Sequence, residues 1–101
     1  MIKEKLKPIF DEVELQLEGR LDTNSAPSAQ ETFLKIAGEY ADIELNFSSL
    51  DYISSAGLRS LLMLQKQVNK TGGSLVLTNV SPSVLEVFEI TGFSSILSIK
   101  H

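Results

Sequence analysis

The spacing of the apolar residues changes repeatedly along this chain, and that change constrains the fold more than any other feature. Residues 12–18 alternate polar and apolar side chains without a fault, which predicts a half-buried strand. After Thr23 the apolar residues recur at helical spacing, with Pro27 in the first turn and a stop at residues 38–42. Strands that alternate with helices in this way are typical of βαβ units, which build parallel sheets.

The middle of the chain repeats the pattern of a strand followed by a helix. Residues 43–47 alternate again and predict a strand, whereas residues 48–52 are too polar and too few to predict more than a loop. Beyond that loop one helical face is predicted to pack against the sheet, and Gly72 and Gly73 end the helix. The residues of this face are Leu58, Leu61, Leu62, Gln65 and Val68.

The last part of the chain contains two further predicted strands and one helix. Residues 75–77 are apolar without interruption, which is typical of a strand covered on both faces of its sheet. Ser81 and Pro82 supply an N-cap and a first-turn proline for a helix that Gly92 ends. Residues 96–99 are predicted to form the last strand.

Pro8 determines how the beginning of the chain is interpreted. It separates the strand at residues 12–18 from a shorter strand-like segment at residues 2–7. Because proline donates no hydrogen bond to a neighbouring strand, this first strand is predicted to lie at an edge of the sheet. A length of 101 residues suits one domain. We therefore expect a single α/β domain over residues 1–101, in which an antiparallel N-terminal hairpin leads into parallel strands of a mixed sheet packed by α-helices.

Charge and composition exclude several classes of function. Thirteen acidic and nine basic residues give a net charge of -4, and the basic residues are scattered, so no nucleic-acid partner is expected. The sequence contains no cysteine, which excludes thiolate catalysis, disulfides and Cys-ligated zinc. The single histidine, His101, is the last residue and therefore poorly positioned for acid/base chemistry. We expect no catalytic residue, no metal and no cofactor.

Two alternatives in which the chain acts on a small molecule fit the sequence poorly. A hydrolase with Ser55 as nucleophile would need a glycine two residues earlier and a placed base, and the chain has Ile53 at that position. A nucleotide-binding module would need a Gly-x-x-x-x-Gly-Lys loop, which the sequence lacks. A binding module that is not an enzyme is the better interpretation.

Targeting segments are not expected either. The first eight residues alternate charge and contain no apolar core of the kind that a signal peptide has. No stretch approaches the roughly 18 uninterrupted apolar residues of a membrane span. We therefore expect no membrane insertion and a cytoplasmic location.

The segment from Tyr52 to Leu58 carries the most information about function. With Ser54 as the N-cap of the second helix, Ile53 and Leu58 have the spacing of a hydrophobic staple, which supports this register. The Ser54 oxygen would then accept from the amide of Ala56 or Gly57. Ser55 would occupy the first helical position, with a hydroxyl that no local structure requires.

A phosphate on Ser55 would lie at the positive end of the helix dipole, which favours an added charge of about -2. Each of these residues also has an ordinary structural interpretation. The serine pair can be only a cap, and Gly57 can either leave the first turn bare for an approaching enzyme or allow close helix packing. Arg59 can be a solvated cation, and Asp22 can be a turn or cap residue.

Three segments of this chain resemble STAS domains, and more narrowly the bacterial anti-sigma factor antagonists. They are Gly19-x-Leu21-Asp22 before the first long helix, Leu50-x-Tyr52-Ile53-Ser54-Ser55-Ala56-Gly57-Leu58, and Gly72-Gly73 before an apolar strand. The resemblance covers essentially the whole chain. In that family the phosphorylated serine lies two residues before the glycine, which implies Ser55 as the phosphoacceptor. Members often have aspartate immediately before that serine, whereas this chain has Ser54.

The resemblance implies a function in partner switching. The unphosphorylated domain would bind a serine kinase that is also the anti-sigma factor, and would so free a sigma factor. Phosphorylation by that kinase would end binding, and a serine phosphatase would reverse it. The implied partner-binding residues are Asp22, Ser54, Ser55, Ala56, Gly57, Leu58 and Arg59. The alternative within the same fold is a STAS subunit of another assembly, such as a lipid-transport ATPase complex or a sensory complex, that acts without phosphorylation.

Overall fold

Five strands and three α-helices follow one another in the order that the apolar spacing predicts. The computed structural model describes residues 2–9 and 12–100, so the prediction about His101 lies outside the described residues. The elements are β1 Ile2–Ile9, β2 Glu12–Leu21, α1 Ala26–Glu39, β3 Asp42–Ile53, α2 Ser55–Thr71, β4 Ser74–Thr78, α3 Pro82–Thr91 and β5 Ile99–Lys100.

The five strands form one mixed sheet in the order β1-β2-β3-β4-β5. Strand β1 pairs antiparallel with β2, and the three remaining pairs are parallel. The predicted mixed sheet with its N-terminal hairpin is therefore confirmed. Pro8 lies opposite Val13 in the edge strand β1, the position in a sheet where proline is tolerated.

The three helices cover one face of the sheet and leave the other open. Each crossover between parallel strands is right-handed by default, and each one moves to the next strand in the same direction, so successive helices come to the same side. On the opposite face Val76 is half-buried and lines a shallow cleft with Glu14 and Glu44. The prediction that β4 is covered on both faces is therefore wrong, because its central side chain belongs to the open face.

Strand β3 is longer than the sequence predicts. It runs over Asp42–Ile53, so the predicted loop at residues 48–52 is wrong. Near the C-terminal end of β3, the register of its pairing with β2 shifts at two places. Each shift places an extra residue in β3, and the buried side chains there fall three residues apart, at Phe47, Leu50 and Ile53. A pattern search for every second residue misses such a strand.

The buried face of α2 differs from the predicted face at one position. Leu58, Leu61, Gln65 and Val68 are buried as predicted. Leu64 is fully buried in the core, whereas Leu62 is only half-buried and lies outside the core cluster. Successive helical residues point about 100° apart, which places Leu62 beside the buried stripe. The assignment of Leu62 to the core is therefore wrong.

The helix ends follow the predicted capping residues. The Oγ of Ser81 accepts a hydrogen bond from the Val84 amide at 3.3 Å and so caps α3. Gly72 ends α2 and Gly92 ends α3, each in the left-handed conformation, with φ of 77° and 81°. This conformation favours glycine because a Cβ atom would strain it.

The end of the chain departs from the prediction. Residues 96–99 do not form one strand, because the amides of Ile96 and Leu97 both donate to the Phe93 carbonyl, at 3.0 and 2.9 Å, and the chain turns there. This turn buries Leu97, and β5 comprises only Ile99–Lys100. A short run of apolar residues does not distinguish a strand from a turn packed on the core.

Candidate functional site

The candidate site lies where β2 and β3 end and α2 begins. The backbone amide of Ser54 donates to the carbonyl of Leu21 at 2.9 Å, which joins the two strand ends directly. Within the sheet, Leu21 pairs with Ile53. Two of the segments singled out in the sequence, residues 19–22 and 50–58, therefore meet at the C-terminal ends of these two parallel strands.

Ser54 is the N-cap of α2, as predicted. Its backbone is extended, with φ of -100° and ψ of 175°, and its Oγ accepts from the Gly57 amide at 3.3 Å. Its carbonyl accepts from the Leu58 amide at 2.9 Å, which begins the helical hydrogen-bond ladder. Ile53 and Leu58, the two residues with staple spacing, are both buried.

Ser55 is the first residue of α2 and is exposed. Its hydroxyl makes no side-chain hydrogen bond to any residue in the described part of the chain. Its neighbour Ser54 provides the cap, so the Ser55 hydroxyl has no structural partner to lose if it is modified. The arrangement leaves one solvated hydroxyl at the positive end of a 17-residue helix.

Gly57 lies beneath the surface, where α2 packs against the ends of both strands. A Cβ atom built on Gly57 would come within 2.7 Å of the Leu21 carbonyl oxygen and 2.9 Å of Ile53 Cγ1. The close-packing interpretation of Gly57 therefore holds, and the interpretation as a bare surface for an enzyme does not. Gly57 and Leu58 are both buried, so they position the turn from below.

We expect Gly57→Ala to lower the free energy of unfolding by about 1 to 3 kcal/mol, because the added methyl group must displace backbone or branched side chains. Gly38→Ala is the matched control: Gly38 also lies in a helix, and its Cβ would meet nothing within 4 Å. The control should be neutral or stabilising by up to about 1 kcal/mol. Urea unfolding of both variants measures the difference, and equal effects would contradict the packing argument.

Asp22 is held within its own turn. Its Oδ1 accepts from the amides of Asn24 and Ser25 at 3.0 and 3.1 Å. The Ser25 amide, the larger of these two contributions, holds the pKa of the Asp22 carboxyl below its ordinary value. The Ser25 hydroxyl donates to the Arg20 carbonyl at 2.7 Å and ties the turn to the end of β2. The turn interpretation of Asp22 therefore describes its contacts, and its carboxylate stays charged at neutral pH.

Arg20 and Tyr52 belong to this surface, although neither is among the partner-binding residues that the sequence predicts. The guanidinium carbon of Arg20 lies 4.2 Å from the centre of the Tyr52 ring, and Arg20 Nε lies 3.7 Å from Asp22 Oδ2. Tyr52 is 41% exposed. The register shift in β3 brings the two residues opposite each other, so the signal that could have identified them was the bulged pairing of β2 with β3.

The remaining residues of the predicted site lie on the first turns of α2. Ala56 is half-buried, and Arg59 is exposed. No cluster of three or more residues suited to hold a metal occurs among residues 2–9 and 12–100. Within the same residues, none of the helices has the length and apolarity that crossing a bilayer requires. The chemistry that this geometry offers is an accessible hydroxyl within a mixed aromatic and charged surface.

The chain matches the model of one protein family and is similar in sequence to several named proteins. Residues 3–101 match the model of the family described as the STAS domain. The anti-sigma-B factor antagonist of Bacillus subtilis (strain 168) is 33% identical over 90 residues, which are 89% of this chain and 83% of that protein.

Solved structures show the same fold. The anti-sigma factor antagonist SpoIIAA in its unphosphorylated form superposes with a TM-score of 0.78 at 22% identity, over 98% of this chain and 88% of that one. The Bacillus cell fate determinant SpoIIAA in the phosphorylated form gives a TM-score of 0.76 at 22% identity, over 98% and 92%. At this identity the superpositions establish the fold.

Proposed function

This chain belongs to the STAS domain family, and on that basis we propose that it is an anti-sigma factor antagonist whose binding is controlled at Ser55. In the unphosphorylated state it binds an anti-sigma factor that is also a serine kinase, and a sigma factor is freed. Phosphorylation of Ser55 ends binding, and a serine phosphatase restores it. The chain is the substrate in this cycle, not the catalyst, and it acts in the cytoplasm.

The observation that carries this proposal is that two adjacent serines differ in their contacts. Ser54 accepts the Gly57 amide and caps α2, whereas Ser55 is exposed without a side-chain partner among the described residues. A phosphate on Ser55 therefore leaves the cap intact. It also lies near the unpaired amides of the first helical turn, which favour a negative charge. The modification can thus change the surface without unfolding the domain.

The surface around Ser55 suits a protein partner. Tyr52 and Arg20 are stacked and partly exposed, and aromatic and arginine side chains are enriched among the residues that dominate binding. Of the partner-binding residues implied by the family, Ser55 and Arg59 are exposed and three others are half-buried, namely Asp22, Ser54 and Ala56. Gly57 and Leu58 support them from the interior.

Phosphosite mapping with two serine variants tests the proposal. Each serine-kinase anti-sigma factor encoded by the source genome is tested separately. It is incubated with ATP and one of three proteins: the wild-type chain, the Ser54→Ala variant or the Ser55→Ala variant. We expect Ser54→Ala to lose about 1 kcal/mol of stability with its cap and still to be labelled. Ser55→Ala should fold normally and remain unlabelled.

Two results would contradict the assignment. Phosphate mapped to Ser54, or undiminished labelling of Ser55→Ala, would place the modification elsewhere. If none of the kinases labels the wild-type chain, a STAS subunit that acts without phosphorylation becomes the better explanation. Ser55→Ala should also capture its kinase in the presence of ATP, a condition that releases the wild-type chain.

A further inference from the structure

The outer side of α2 carries a shallow groove that continues away from Ser55 along the helix. Its volume is about 420 Å³, and we call it the α2 groove. The residues that line it are Arg59, Leu62, Met63, Lys66, Gln67 and Lys70. Arg59 is four residues after Ser55, so the groove begins one helical turn from the phosphoacceptor.

The rim of the α2 groove is positively charged in a chain that is negative overall. The 17 residues of α2 contain three basic side chains, Arg59, Lys66 and Lys70, and no acidic one, whereas the whole chain has 13 acidic residues against nine basic ones. Within the described residues none of the three forms a salt bridge; the ion pairs there involve Lys5 and Arg20. These charges are therefore available to a partner.

Two apolar side chains, Leu62 and Met63, lie on either side of the row of basic residues in the α2 groove. Leu62 is half-buried without belonging to the core cluster, and Met63 packs against the edge of that cluster with part of its surface open. Protein interfaces combine apolar with polar and charged side chains, and methionine adapts its shape to a bound side chain. The part of Leu62 that is exposed in the isolated chain would be buried by a partner in a complex.

We propose that the α2 groove is the docking surface for an acidic segment of the partner, with apolar side chains of that segment packed against Leu62 and Met63. This inference rests on the proposed function and names the chemistry of the partner. Carboxylates of the segment pair with Arg59, Lys66 and Lys70. A phosphate on Ser55 lies one turn from Arg59 and has the same sign as the segment, so it both neutralises the rim and repels the partner.

Charge complementarity is the reason for choosing a protein segment over other anionic ligands. Three cations on one helix of a chain with a net charge of -4 are too few to follow a nucleic-acid backbone. Recognition of a membrane surface typically uses a cluster of four or more basic residues, whereas α2 carries three, in one row along its outer face. An acidic amphipathic segment satisfies both the basic residues and the apolar side chains beside them.

The test compares two double charge reversals of equal net charge. Lys66→Glu with Lys70→Glu changes the rim of the groove, whereas Lys3→Glu with Lys35→Glu changes two exposed lysines on β1 and α1. Binding to each serine-kinase anti-sigma factor of the source genome is measured by surface plasmon resonance at two salt concentrations. We expect the groove variant to bind about tenfold or more weakly, mainly through slower association, and to lose salt dependence. The control should stay close to the wild type.

Further arms separate this inference from the proposed function. Lys66→Arg with Lys70→Arg should retain binding, and Leu62→Ala should weaken it without unfolding the domain, which circular dichroism checks. If a kinase binds the wild type and both reversals equally, the docking inference is wrong while the proposed function stands. If no kinase binds the wild type, both are wrong. Tighter binding to phosphatidylserine vesicles or to a single-stranded RNA than to any kinase would also overturn the inference.

Discussion

Leu64→Ala is expected to lower the free energy of unfolding by about 2 to 5 kcal/mol, the range observed when a large core side chain is truncated. Leu64 is fully buried in the middle of α2, within the cluster that joins the helices to the sheet. Removing its branched end leaves a cavity that the surrounding strands cannot fill. Urea unfolding monitored by circular dichroism measures the loss.

Leu62→Ala is the matched control on the same helix. Leu62 has the same side chain two residues earlier, but it is half-buried and outside the core cluster. Its truncation should cost about 1 kcal/mol or less. A larger loss for Leu62→Ala than for Leu64→Ala would show that α2 is rotated relative to the packing described here.

Phosphorylation of Ser55 is expected to weaken binding to the cognate kinase more than a hundredfold, which corresponds to about 3 kcal/mol. The phosphate adds a charge of about -2 to the proposed binding surface, and its water must be removed when the partner binds. Phosphoserine can be installed at position 55 during translation, and calorimetry then gives both affinities. Ser55→Asp should reproduce only part of the loss, because it carries less charge and fewer oxygens.

Phosphoserine at position 83 is the control for this measurement. Ser83 is exposed in the first turn of α3, so it also places the phosphate near a helix N-terminus but on another element. Its affinity should remain within a few fold of the unmodified chain. Equal losses at positions 55 and 83 would mean that net charge, not position, controls binding.

Local signals in the sequence were sufficient for the cap register of α2. The N-cap, the staple pair and the helix stop depend on residues within a few positions of each other, so Ser54, Ser55 and Gly72 are found where the sequence predicts them. The mixed sheet was also predictable, because strands alternate with helices and Pro8 marks an edge strand.

Features that depend on distant parts of the chain were not predictable. The bulges of β3 exist only in its pairing with β2, so residues 48–52 look like a loop in isolation. The stacking of Arg20 on Tyr52 follows from the same pairing. The sequence predicts Leu62 in the core, and the structure buries Leu64 instead. Which of the two faces inward depends on the rotation of α2 against the sheet, and the run of apolar residues around them does not specify that rotation.

Strand β3 continues up to Ile53, and this affects how an enzyme could recognise Ser55. Only Ser54 separates the last paired residue of the sheet from the first residue of α2, and its amide is itself bound to Leu21. A linear peptide that spans Ser55 has neither the strand, the cap nor the helix. In the folded chain, the surface around Ser55 that a modifying enzyme would contact is therefore built from the strand end, the cap and the first turn of the helix together.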